Sequence, residues 1–250
     1  MTYQEDMNRW QSRFDRDMNE MPVPWVISHK LVEKITSEGT MKPFYGATTV
    51  YRMSERDRTA CKAARDRLFE RHGKQIAGLA PDTYHLTVHA LSNVYNVAND
   101  NALIRRSIEE TEPRVIAAFR EIARSYASRT IAMRALGIST AGKDIIGIKF
   151  VPASQNDFTL LIDLFDRMEA VYPLKELYVP HVSLGYHQIR HHTEEEVADL
   201  YETLREINRD IDLTIELAVA DMVYQHHYDM GDFRDVFDVR KFAGESFQQP

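Results

Sequence analysis

A strict two-residue alternation that occurs twice narrows the possible folds more than any other feature of this chain. HLTVH at 85–89 and HVSLG at 181–185 both read His, apolar, hydroxyl, apolar. Side chains two positions apart share a face in extended backbone, so each stretch predicts a half-buried strand. His85, Thr87 and His89 then lie on one face, and Leu86 and Val88 on the other. His181, Ser183 and Gly185 likewise lie opposite Val182 and Leu184. The second stretch has Gly185 where the first has His89, so the two are not symmetric at that position.

The segments around these strands carry helical and extended patterns in a repeating order. Met7, Trp10, Phe14 and Met18 recur at helical spacing over 3–20, and Met21-Pro-Val-Pro ends that helix. KPFYGATTVYRM (42–53) reads as a turn and then a strand rich in β-branched and aromatic residues. Ser54 caps a helix that runs to about Arg71 and stops near Gly73. After the first motif a polar segment fills 92–107, and helix resumes after Pro113 to about Tyr126. TIAMRALGIS (130–139) and DIIGIKFVPA (144–153) read as a hairpin around TAGK. Helix follows over 155–170, then YVPHVSLGY as a strand, and Thr193 starts a helix with Glu194, Glu195 and Glu196 in its first turn. DLTIELAVADMVY and FRDVFDVRKF close the chain as extended segments. Each motif strand follows one helix and precedes another, which predicts two related α+β halves facing each other. No linker rich in Pro, Gly or Ser divides them. The reading is one bilobal domain over 41–250, preceded by an N-terminal helical extension over 1–40.

Composition sets the outer limits. The 250 residues are 44% apolar and 28% charged, enough for a core and ordinary for a globular chain. A formal net charge of −7 disfavours long duplex nucleic acid but leaves room for a local basic cleft. Cys61 is the single cysteine, so neither an internal disulfide nor a cysteine-rich zinc site can form. The first residues hold no apolar run, and no stretch reaches the roughly 18 apolar residues of a membrane span. The expectation is a soluble, cytoplasmic protein.

The motif residues suit one kind of chemistry. Residues two apart on a strand are roughly 6–7 Å apart, so an imidazole and a hydroxyl can reach one phosphate-sized group from the same side. Two such strands meeting across a groove would present two imidazoles and two hydroxyls. One neutral histidine could take a proton from an attacking water or hydroxyl, and a protonated one could give a proton to the leaving oxygen. The hydroxyls could hold the non-bridging oxygens. With 10 histidines in the chain, chance supplies roughly 0.2 matches to such a pattern, and two are present.

HLTVH and HVSLG resemble the paired His-x-Thr/Ser signatures of the two-histidine phosphoesterase superfamily, which includes cyclic nucleotide phosphodiesterases and bacterial 2′-5′ RNA ligase-like proteins. The resemblance implies an α+β fold of two pseudo-symmetric lobes of antiparallel sheet flanked by helices around a central cleft. It also implies hydrolysis of a cyclic phosphate or related phosphodiester of a nucleotide or RNA end, with no metal and no cofactor. His85 and His181 would be the acid–base pair, and Thr87 and Ser183 the phosphate binders. KPFYGATTVYRM is similar to the opening strand of a less characterised bacterial and fungal branch. Residues 1–40 carry no part of the resemblance. The rival class is a nucleotide or RNA-end binding module that senses without turnover, and a weaker alternative is 2′-5′ RNA ligation at the same site.

Further candidates for substrate contact are Tyr45, Tyr84, His89, Arg105, Tyr178 and Tyr186. The tyrosines flank the motif strands, or in Tyr45 the opening strand, and could stack on a base, though core or rim sites suit them equally. His89 could cap the cleft. Arg105 and Arg106 could grip a phosphate or form a wet helix face. His191-His192 and His226-His227 read as solvated loop histidines, because neighbours on a strand point apart and no carboxylate stands at ligand spacing.

Overall fold

The computed structural model describes residues 2–140 and 144–244. Of the TAGK turn expected inside the hairpin, Ala141, Gly142 and Lys143 lie outside the described residues. Helix α1 spans Tyr3–Asn19 and starts with a reciprocal cap. The Thr2 hydroxyl accepts from the Glu5 N–H, and the Glu5 carboxylate accepts from the Thr2 N–H. Trp10, Phe14 and Met18 are buried, so the apolar stripe is an interface with the rest of the molecule. Trp10 Nε1–H donates to the Tyr178 carbonyl at 2.7 Å, and its ring meets Phe158 edge-on.

A short helix not anticipated from the sequence, α2 (His29–Lys34), comes next. Strand β1 (Gly46–Arg52) and helix α3 (Glu55–His72) follow, the latter capped by Ser54 as expected. A three-residue strand, β2 (Ile76–Gly78), precedes the first motif strand, β3 (His85–Asn93). Helix α4 spans Asn101–Tyr126, so the expectation that helix begins only at Pro113 is corrected: Pro113 lies inside it. The Asp100 carboxylate caps the N–H groups of Ala102 and Leu103. Ile104, Ile108, Val115, Phe119 and Ile122 then form one buried stripe. Burying that stripe outweighs the penalty of about 3 kcal/mol for an interior proline.

The remaining elements are β4 (Thr130–Ser139), β5 (Ile145–Pro152), α5 (Gln155–Val171), the second motif strand β6 (His181–His187) and α6 (Glu194–Asp210). The extended tail resolves into β7 (Thr214–Ala218) and β8 (Met222–His227), split by a 3-10 turn, and then β9 (Phe233–Asp238). Among the described residues no helix is long and apolar enough to cross a membrane.

Among the described residues the strands form one nine-stranded sheet in the order β7-β4-β5-β6-β3-β1-β8-β9, with β2 added beside β6. Every pairing is antiparallel. The expected α+β class and its two-fold character are both present. In each half the motif strand is innermost, and its outer neighbour is the strand that precedes its helix: β1, α3, β3 in one half and β5, α5, β6 in the other. The halves meet where β3 pairs with β6, in register at Leu86 and Val182. One apolar core, holding Leu86, Val182, Phe119, Phe150 and Leu31, runs through both.

The end of β6 carries an unusual buried cluster. His187 is 0% exposed, and its ring lies 4.7 Å from that of Trp25, which also meets His192 at 4.8 Å. Among the described residues neither nitrogen of His187 has a hydrogen-bond partner. Desolvation, reinforced by His192, pushes its proton affinity down to about 3 from the ordinary 6.5. The folded state therefore binds fewer protons than the unfolded chain across that window, so stability is lost as pH falls from about 6.5 toward 3, with a slope approaching about 1.4 kcal/mol per pH unit per histidine. Thermal melts across this range should show a falling Tm, and His187→Leu should flatten the fall. An unchanged slope in that variant would remove His187 from the account.

Candidate active site

The alternation read in the sequence sets the geometry. Along β3, Leu86 and Val88 are fully buried while His85 and Thr87 are half-buried; along β6, Val182 and Leu184 are buried while His181 and Ser183 are half-buried. From the Leu86–Val182 register, one step either way sets His85 across from Ser183 and Thr87 across from His181. Such opposed residues have Cβ atoms roughly 4.5–5.5 Å apart. The local two-fold thus interleaves the motifs, each imidazole facing the other strand's hydroxyl. All four side chains line one cavity of about 210 Å³. A larger cavity of about 720 Å³ shares Lys34, Thr87 and His181 with it.

The two imidazoles are held in the same way. His85 Nδ1 lies 2.8 Å from the Thr83 carbonyl, and His181 Nδ1 lies 2.9 Å from the Val179 carbonyl, each two residues earlier in the chain. A carbonyl only accepts, so in the neutral ring Nδ1 carries the hydrogen and Nε2 keeps a lone pair. Burial lowers the proton affinity of His85, opposed by the Thr83 carbonyl. For His181, burial is joined by the positive charge of Lys149, and the value falls to about 3. Both rings are therefore neutral at pH 7 while the cavity holds no anion.

The outer neighbours complete the walls. On β5, Lys149 stands opposite His181 and Gly147 opposite Ser183. A Cβ at Gly147 would sit 2.7 Å from the Val182 carbonyl oxygen, so glycine lets β5 and β6 close around the second motif. A Cβ at Gly46, in the aromatic–Gly–Thr stretch, would sit 2.6 Å from His227 Nε2. His227 lines the smaller cavity, and its Nδ1 donates to the Phe44 carbonyl at 2.7 Å.

The other sequence candidates divide. Tyr178 lines the larger cavity, stacks on Phe165 and donates its hydroxyl hydrogen to the Thr87 carbonyl at 3.0 Å. Tyr186 lines the smaller one, with the Lys34 ammonium 5.3 Å from its ring centroid. His89 also lines the larger cavity, but a bulge between Thr87 and His89 breaks the alternation that would have kept it on the His85 face. It is buried, and its Nε2 donates to the Glu169 carboxylate at 2.7 Å. Tyr45, Tyr84 and Arg105 line neither cavity. Tyr45 rests on Tyr228, Tyr84 is buried near Arg65 and Cys61, and Arg105 is exposed on α4. The reading of the paired histidines as solvated loops is corrected for three of the four: His192 and His227 are buried and His226 is half-buried in β8, because rings of this size fill core gaps. Among the described residues no group of three or more His, Cys, Asp or Glu is placed to hold a metal. Sequence reasoning missed Lys34, Lys149 and His227. Lys149 had a signal, a lone charge inside the apolar run IIGIKFVP, whereas Lys34 had none.

No family model and no curated protein matches the chain. Solved structures do. A conserved protein of unknown function, ATU0111 from Agrobacterium tumefaciens, is 17% identical with a TM-score of 0.63, over 86% of this chain and 94% of that one. TT0787 of Thermus thermophilus is 15% identical with a TM-score of 0.50, over 78% and 97%. Escherichia coli LigT in its apo form is 12% identical with a TM-score of 0.47, over 78% and 95%. At these identities the likeness is one of fold. The resemblance to a family rests on the motif residues themselves, which this fold brings to one cavity.

The shared carbonyl anchors predict one tautomer for both rings. Nitrogen-15 shifts at pH 7 should show a protonated Nδ1 and a bare Nε2 at His85 and His181. A doubly protonated ring at either position in the free protein would contradict the assignment.

Proposed function

We propose that the protein is a phosphoesterase that hydrolyses a phosphodiester of a small nucleotide or RNA end, with a 2′,3′-cyclic phosphate as the favoured form, through His85 and His181. The observation that supports this reading is that His85, His181, Thr87 and Ser183 line one cavity, with each imidazole anchored through Nδ1 to a backbone carbonyl.

In this mechanism the phosphate lies over the junction of β3 and β6. Thr87 and Ser183 donate hydrogen bonds to its non-bridging oxygens and hold phosphorus in line. One imidazole Nε2 takes a proton from water as its oxygen bonds to phosphorus. The other, protonated, gives its proton to the departing ribose oxygen as the ring P–O bond breaks. The product is a phosphate monoester, and the pair has exchanged one proton. The charge of the arriving phosphate raises the proton affinity of both rings. Lys149 and Lys34 oppose that rise at His181, with Lys149 the stronger influence. His85 is thus the acid and His181 the base for hydrolysis. No metal is needed for these steps, so turnover should persist in EDTA.

His85→Ala and His181→Ala should each lower kcat by about 10²–10⁴ without loss of fold. Thr87→Ala and Ser183→Ala should each lower it by about 10²–10³. Because both rings are depressed in the free protein, the kcat/KM profile should peak on the acid side of pH 6.5 and fall as pH rises through the higher of the two values. The matching limb of kcat should lie at higher pH, since bound phosphate restores proton affinity. Undiminished turnover in either histidine variant would sink the assignment. Saturable binding of cyclic nucleotides with no product would instead mark a sensing module.

A further inference from the structure

Lys149 is 7% exposed and lies across from His181, yet it makes no hydrogen bond or ion pair among the described residues. Asp17 and Asp144 act on it only from beyond ion-pair distance. A buried ammonium without a partner is costly, and a chain that retains one usually has an anion for it. Its side chain lines the larger cavity together with Arg13 of α1 and Lys34 of α2. Lys34 is 8% exposed, and Asp144 stands a long 3.8 Å from its Nζ. The acids on the same cavity are Asp144, Glu169 and Glu176. Glu169 is already engaged by His89 and by the backbone N–H groups of Leu174 and Lys175. Burial pushes the proton affinity of Lys149 down to about 8, which still leaves it mostly charged at neutral pH. In a chain of net charge −7, this wall is a local basic site.

We propose that Lys149, with Lys34 and Arg13, forms a second anion site beside the motif cavity, which takes a phosphate group of the substrate other than the phosphodiester under attack. The inference rests on the reading that the motif cavity holds the reacting phosphate. It narrows the substrate class to nucleotides or RNA ends that carry an additional phosphate within reach. Two of the three cations come from residues before 40, so the leading segment supplies specificity.

Isothermal titration of the full chain with adenosine 3′-monophosphate and adenosine 3′,5′-bisphosphate tests this directly. The bisphosphate should bind at least about tenfold tighter, the gain expected of a charge-assisted contact. Lys149→Met should erase that advantage, and Lys149→Arg should keep it, with thermal melts confirming that both variants fold. Equal affinity of the wild-type protein for the two probes, no binding of either, or an undiminished advantage in Lys149→Met would overturn the proposal. An advantage that depends on Lys149, with no turnover of the corresponding 2′,3′-cyclic 5′-phosphate, would leave the anion site standing and refute the catalytic reading alone.

Discussion

Everything at the site depends on one backbone pairing, that of Leu86 with Val182. It is the point where the sheet passes from one half of the chain to the other. Both side chains point into the core and are fully buried, which fixes which face each strand presents. A slip of one residue in either strand would send its histidine and hydroxyl into the apolar interior and its aliphatic residues into the cleft. The cost of such a slip makes the position of the four polar groups a by-product of core formation. Hydrophobic burial, rather than any contact among the polar groups, brings the imidazoles together.

Electrostatics then separates two rings that the backbone treats alike. Each Nδ1 meets the carbonyl two residues upstream, but only His181 has a lysine across from it on the neighbouring strand. The corresponding position beside His85 is Arg52, which is turned to Asp235 and Asp238. A near-symmetric scaffold therefore gives its two histidines unequal electrostatic surroundings.

The sequence revealed those parts of the structure that local periodicity controls. The motif strands, the capped helices α1 and α6 and the β4–β5 pairing all follow from patterns within a dozen or so residues. The Leu86–Val182 contact does not, because it joins segments far apart in the chain and no local rule chooses a partner strand. Pro113 misled because a proline at a helix start and a proline tolerated inside a well-buried helix look the same in one dimension. His89 shared a face with His85 on paper, and the bulge that removed it depends on how β1 pairs. Lys34 sits on a helix of six residues whose Ser28 side chain makes no capping hydrogen bond among the described residues, too short for periodicity to register. The histidines and hydroxyls were legible for the same reason that they converge: alternation puts them on one face.

The hydrogen bonds around Tyr178 have a mechanical consequence. Its carbonyl receives Trp10 from the leading helix, and its hydroxyl reaches the Thr87 carbonyl on the opposite motif strand. One residue just ahead of β6 thus ties three separate parts of the chain. The leading helix itself packs on the second half, against β4, β5 and α5, and Tyr178 alone carries the link on to β3. A shortened chain starting near residue 41 would keep every motif side chain yet take Trp10 from the Tyr178 carbonyl and Leu31 and Ile35 from the core.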